Sequence, residues 1–148
     1  IRQRRFQLNS TMGAWCCKRG ASLMIPSGPD NKKHLFALML DPITAEGMGP
    51  KPCVLMACVV SVKVGLPPEE ACLLKKDDHP FIEHDSYVDY RFTRLEHAEH
   101  VSGLVKNGTF IPKDDCSHEL TKRIIQGALN SRRIPREYKK LLEKVLFD

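Results

Sequence analysis

The sequence has 148 residues, of which 42% are hydrophobic and 28% charged, as expected for one globular domain. Its longest apolar run, Cys53 to Val60, is far shorter than the roughly 20 residues of a membrane helix, so a spanning helix is not expected. The formal net charge of +5 comes from the two ends of the chain, since residues 12–116 carry a net charge of −2. If the protein binds nucleic acid, a local basic patch or the C-terminal helices must supply the attraction.

The chain is expected to form a single globular domain over residues 12–148, preceded by a disordered extension at residues 1–11. No charged-then-apolar leader opens the chain, and no Cys-x-x-Cys pair occurs, so we expect a cytoplasmic protein with reduced thiols. Short apolar runs bounded by Gly, Pro and Asp predict five strands within residues 20–92. These are Ser22–Ile25, His34–Leu40, Cys53–Val62, Ala71–Leu74 and Ser86–Phe92.

The second and third predicted strands are apolar along nearly their whole length, which predicts burial on both faces. The loop that joins them is too rich in Gly and Pro for a helix, so the two strands should be antiparallel neighbours. The residues expected to be most buried are Phe36, Leu38, Val54, Met56 and Val60.

After Thr93 the apolar residues follow a helical period, which predicts helices over residues 95–106, 117–130 and 135–147. Asn107-Gly108 is a typical helix end, and Pro135 suits a first helical turn. Strands come first and helices last, with no β-α-β alternation. This order favours an α+β fold with a small antiparallel, SH3-like barrel over residues 20–92 and helices over 95–147.

Residues 77–91 are the densest group of titratable side chains in the chain. RNA cleavage without a metal needs a base for the 2′-hydroxyl, an acid for the leaving oxygen and a cation for the phosphate. His79 or His84 could transfer the protons, and Arg91 or Lys75 could hold the phosphate. The spacing of the two histidines does not suit a metal site.

Within this segment, strand geometry would place Tyr87 and Arg91 on one open face and Val88 and Phe92 in the core. Tyr87 could then stack a base while Arg91 meets its phosphate. A functional segment should bring the two histidines, Tyr87 and Arg91 to one concave surface. The structural alternative is that Arg91 pairs with Asp89 or another carboxylate and that both histidines are buried.

The order of these strands resembles that of the PemK/MazF-like toxins, which cleave RNA with a small SH3-like barrel. The resemblance covers roughly residues 20–105, and it is carried by Gly20–Pro26, Lys32–Leu40, Val59–Val62 and His84–Val88. It implies a toxin–antitoxin endoribonuclease that uses no metal or other cofactor. The partners implied are RNA, an antitoxin protein and a second copy of the chain, with no membrane.

In that family an arginine before the second strand and a Thr or Ser after the third carry the chemistry. This chain has Lys32 and Lys33 at the first position and Ser61 at the second. The catalytic candidates are therefore His79, His84, Arg91 and Ser61, and the RNA-binding candidates are Lys32, Lys33, Lys75 and Tyr87. Either the chemistry has moved to the segment from His79 to Arg91, or the barrel is a non-catalytic module that binds RNA or a partner protein.

Overall fold

The computed structural model describes residues 15–147, so the predicted extension at residues 1–11 lies outside the described part. Seven antiparallel strands and three α-helices in this range form an α+β fold, as predicted. The strands are β1 Ser22–Pro26, β2 Lys33–Leu38, β3 Cys53–Ser61, β4 Leu73–Leu74, β5 Ser86–Val88, β6 Arg94–His97 and β7 Ile111–Lys113. The helices are α1 Ala98–Lys106, α2 His118–Asn130 and α3 Arg136–Phe147. None of them is both long and apolar enough to cross a membrane.

The long strand β3 organises the sheet. On one edge it pairs with β2, and on the other its first four residues pair with β6 and its last three with β5. The strand order is β4-β5-β3-β2-β1-β7, with β6 beside β3. Within residues 15–147 the terminal strands β4 and β7 do not pair with each other, so the sheet is open. The connection from β2 to β3 contains no helix, as predicted.

Both faces of β2 and β3 are buried, as their apolar runs predicted. On one face, Leu55 packs in a cluster that includes Ile124 of α2 and Leu142 of α3. On the other face, Phe36 packs in a second cluster with Val101 of α1. The sheet therefore lies between α1 on one side and the α2–α3 pair on the other.

Two strands were not predicted. Residues 94–97 form β6 instead of the first turn of the predicted helix, because they complete the backbone hydrogen bonds of the first half of β3. Strand β7 contains Pro112, which argues against a strand in the sheet interior. Because β7 is the edge strand beside β1, the missing N–H of Pro112 is tolerated there.

The fifth predicted strand ends early, at Val88. Asp89 begins a short 3-10 helix, because its side chain accepts a hydrogen bond from the backbone N–H of Arg91 and so competes with the sheet. Tyr90 lies in the same core cluster as Val88. Phe92, which was predicted to be buried, is 53% exposed instead.

Candidate functional site

A groove of about 340 Å³ opens where β2 and β3 stop pairing, and its size is that of a ligand pocket. The ladder between the two strands ends at Leu35 opposite Val59. The residues beyond this pair, on both strands and just before β2, line the groove: Lys32, Lys33, His34, Val60 and Ser61. Val60 was predicted to be among the most buried residues, but it lines this groove and is only half-buried.

Ser61 and His84 form a polar contact in this groove. The Ser61 Oγ lies 2.9 Å from Nε2 of His84, and both residues are exposed. Pairing of Ser61 with Ser86 brings the loop before β5 next to the end of β3. The Ser86 hydroxyl also donates to the carbonyl oxygen of His84 at 2.9 Å, which fixes the loop. An accessible imidazole held by a hydroxyl is suited to proton transfer.

Arg91 also lines the groove, but it is ion-paired with Asp89. Its Nε donates to Oδ1 at 3.0 Å and its Nη2 to Oδ2 at 2.7 Å; the Asp89 side chain is 2% exposed and that of Arg91 54%. Burial raises the pKa of Asp89, but the hydrogen bonds and charge of Arg91, together with the charge of Arg133, bring this pKa below its ordinary value. The bidentate contact uses two of the five guanidinium N–H donors. Arg91 thus offers the groove a cation of fixed orientation whose charge is partly neutralised.

Further cations and aromatic rings complete the lining. Besides Lys32 and Lys33 it contains Lys63, and besides Tyr87 it contains two exposed phenylalanines, Phe81 and Phe92. The lining contains two carboxylates, Glu83 and Asp89. Exposed aromatic faces next to cations are the combination that binds unpaired bases and their phosphates.

The structure places His79 outside this groove lining and buries it, with 2% of its surface exposed. Its Nδ1 accepts a hydrogen bond from the Phe81 N–H at 3.0 Å. Its Nε2 lies 2.8 Å from the carbonyl oxygen of Asp114 and 3.0 Å from Oγ of Ser22. Nδ1 therefore stabilises the turn itself, and Nε2 connects the turn to Ser22 of β1 and to the Asp114 carbonyl.

Lys75 is also outside the lining, on an exposed turn where its backbone N–H donates to the Asp78 carboxylate at 2.8 Å. The groove thus brings together the other six sequence candidates: Ser61, His84, Arg91, Lys32, Lys33 and Tyr87.

His34 is a groove residue that the sequence reasoning missed. It lies near the start of β2, half-buried, with Nδ1 2.8 Å from Oγ of Ser27. Burial lowers the pKa of His34, and the charges of Lys32 and Lys63 lower it further. The available signal was a histidine directly after two lysines at the beginning of an apolar strand.

No family model, no curated protein and no solved structure matches this chain. Among residues 15–147, no three His, Cys, Asp or Glu side chains are grouped as a metal site requires. Function is therefore inferred from the groove itself.

Proposed function

We propose that this protein is an endoribonuclease of the toxin–antitoxin type that cleaves RNA without a metal ion in the groove at the end of β3. The supporting observation is the contact of Ser61 with His84 inside a groove lined by lysines and exposed aromatic rings. RNA supplies its own nucleophile, the 2′-hydroxyl. The protein therefore needs only to transfer protons and to stabilise charge on the phosphate.

Each groove residue has a role in this proposal. His84 transfers a proton, and Ser61 orients its ring by holding Nε2, so that Nδ1 is the nitrogen that meets the substrate. The lysines at positions 32, 33 and 63 attract the phosphates on either side of the cleaved bond. Tyr87 stacks a base, and Arg91 contacts the phosphate as a weaker cation because Asp89 holds it.

We also propose that the open sheet is a form of the SH3-like barrel of the PemK/MazF-like toxins. Two features support this: β3 has partners on both edges, and both faces of β2 and β3 are covered. The proposal extends to an antitoxin protein and a second copy of the chain as partners in the cytoplasm.

The purified protein should be incubated with an RNA oligonucleotide and with the DNA of the same sequence, both in the presence of a metal chelator. The RNA should be cut to a 2′,3′-cyclic phosphate and a 5′-hydroxyl, whereas the DNA should stay intact because it lacks the 2′-hydroxyl. His84→Ala should lower kcat by about 10²–10⁴-fold, the usual contribution of acid–base catalysis. His118→Ala is the matched control, since His118 is an exposed histidine at the start of α2.

The same experiment tests the second candidate, a non-catalytic module that binds RNA or a partner protein. The ion pair between Arg91 and Asp89 favours this candidate, because it reduces the charge available to a transition state. RNA that is bound but not cut would support it. Equal rates for the wild type and the His84 variant would refute the role given to His84.

A further inference from the structure

Two histidines line the groove, and a serine hydroxyl holds each of them. Nδ1 of His34 lies 2.8 Å from Oγ of Ser27, and Nε2 of His84 lies 2.9 Å from Oγ of Ser61. The two imidazoles come from different elements, His34 from β2 and His84 from the loop before β5. The serines engage opposite ring nitrogens. Nε2 of His34 and Nδ1 of His84 are thus the nitrogens that can serve a substrate.

We propose that His34 is a second catalytic residue of the groove and acts as the general base, with His84 as the general acid on the same phosphodiester. This inference rests on the proposed ribonuclease function. It adds a second acid–base group to His84, because cleavage must remove one proton from the 2′-hydroxyl and deliver another to the leaving oxygen.

The reaction balances with these two groups alone. His34 Nε2 takes the proton of the 2′-hydroxyl, and the 2′-oxygen forms a bond to phosphorus. The bond between phosphorus and the 5′-oxygen breaks, and the leaving oxygen takes a proton from His84 Nδ1. His34 ends protonated and His84 neutral, and the products are a 2′,3′-cyclic phosphate and a 5′-hydroxyl.

The surroundings of His34 suit the base better than the acid. If Nδ1–H donates to Ser27, the tautomer leaves the lone pair of Nε2 for the substrate. Its neighbours in the groove are mostly cationic: Lys33 on its own strand, Lys32 just before that strand, Lys63 from the loop after β3 and Arg91 from the 3-10 helix, against Glu83 and the paired Asp89. Burial, together with this cationic setting, lowers the pKa of His34 and so favours the neutral imidazole that can accept a proton.

His84 has the complementary arrangement for an acid. In the imidazolium form, Nε2–H can donate to Ser61 Oγ, which stabilises the charge, while Nδ1–H faces the leaving oxygen. The Ser61 hydroxyl is free to rotate between donating and accepting. It can therefore follow the change of protonation during the reaction.

A pair of substrates separates the two roles. Ribonucleotide phosphodiesters with an ordinary alcohol leaving group need an acid, whereas uridine 3′-(p-nitrophenyl phosphate) does not, because nitrophenolate leaves without a proton. His84→Ala should therefore lose about 10²-fold or more on RNA but recover most of the wild-type rate on the nitrophenyl ester. His34→Asn, whose amide can keep the contact with Ser27, should lose about 10²-fold on both substrates.

The pH dependence gives an independent readout. The wild-type rate should show a bell-shaped pH profile, and His34→Asn should lose the limb that rises with pH. Thermal unfolding of each variant identifies a folding defect. If His34→Asn is defective, Ser27→Ala tests the same role of His34, because it removes only the hydroxyl that holds the ring; its cleavage rate should fall about tenfold.

The outcomes distinguish the two proposals. If the wild type cuts RNA but His34→Asn keeps its rate and profile on both substrates, the role of His34 is overturned and the ribonuclease function stands. If His84→Ala remains equally slow on the nitrophenyl ester, the division into base and acid is wrong. If the wild type cuts neither substrate, the ribonuclease function and this inference both fall.

Discussion

Replacing Gly127 with alanine should destabilise the protein, although alanine favours helices. Gly127 is buried in α2, where the helix packs against Tyr90 and the residues before β4. A Cβ at this position would collide with the Tyr90 hydroxyl and lie only 2.9 Å from both the Ala71 carbonyl oxygen and the Cβ of Cys72. Contacts this short force neighbouring groups to move, and the Ala71 carbonyl belongs to the backbone.

The size of the effect follows from three contributions. The helix gains about 1 kcal/mol from Gly to Ala. Overpacking in a core costs about 1–3 kcal/mol. Displacing Tyr90 also breaks the hydrogen bond from its Oη to the Ile124 carbonyl oxygen, 2.6 Å long and buried, which contributes about 1 kcal/mol. The net expectation is a loss of about 2 kcal/mol in the free energy of unfolding.

Gly103→Ala is the matched control. Gly103 lies inside α1, and a Cβ added there meets nothing within 4 Å. This change should therefore stabilise the protein by about 1 kcal/mol. Urea denaturation followed by circular dichroism measures both variants. If Gly127→Ala stabilises the protein as much as Gly103→Ala does, α2 does not pack closely against Tyr90, and this account of the helix position is refuted.

Two further variants test the surroundings of the groove. Burial raises the pKa of Asp89, but the hydrogen bonds and charge of Arg91, with the charge of Arg133, bring this pKa below its ordinary value. The Asp89 carboxylate therefore stabilises the fold above about pH 4, and this effect is lost as the pH falls through the lowered pKa. Asp89→Asn should flatten the loss of stability at acid pH measured by urea denaturation, and an unchanged loss would contradict this account. His79→Ala should cost about 1–3 kcal/mol of unfolding free energy, because the Phe81 N–H loses its acceptor, whereas the Asp114 carbonyl keeps the Ser22 hydroxyl as a donor. A changed pH profile of cleavage in the folded variant would instead give His79 a catalytic role.

The parts of the fold that could be predicted are those with strong local signals. The apolar runs of β2 and β3 predicted two-sided burial, and the start of α2 was predictable because Ser117 caps it by accepting from the Leu120 N–H. β6 has only four residues, and its apolar spacing fits the helix that follows equally well. Its strand conformation depends on pairing with the first half of β3, which local sequence does not encode.

The candidate site was predictable only in part. His84 and Arg91 were found because they share one polar segment, but the contact between Ser61 and His84 depends on the register of β3 with β5. His79 and His84 look alike in sequence, since each lies beside acids in a loop. Tertiary packing alone separates them, burying His79 against β1 and leaving His84 exposed.

The groove exists because β3 changes partners along its length. Its middle pairs with β2, but its last two residues pair only with β5 among the described strands, so the side of Val60 and Ser61 that faces β2 is open. An open strand edge invites pairing with another chain, and proteins commonly protect such edges with lysine. The lysines at positions 32, 33 and 63 can serve that purpose and also attract a polyanion. Two strands that continued their ladder would close this edge and remove the groove, so the broken ladder is the feature on which any activity of the site depends.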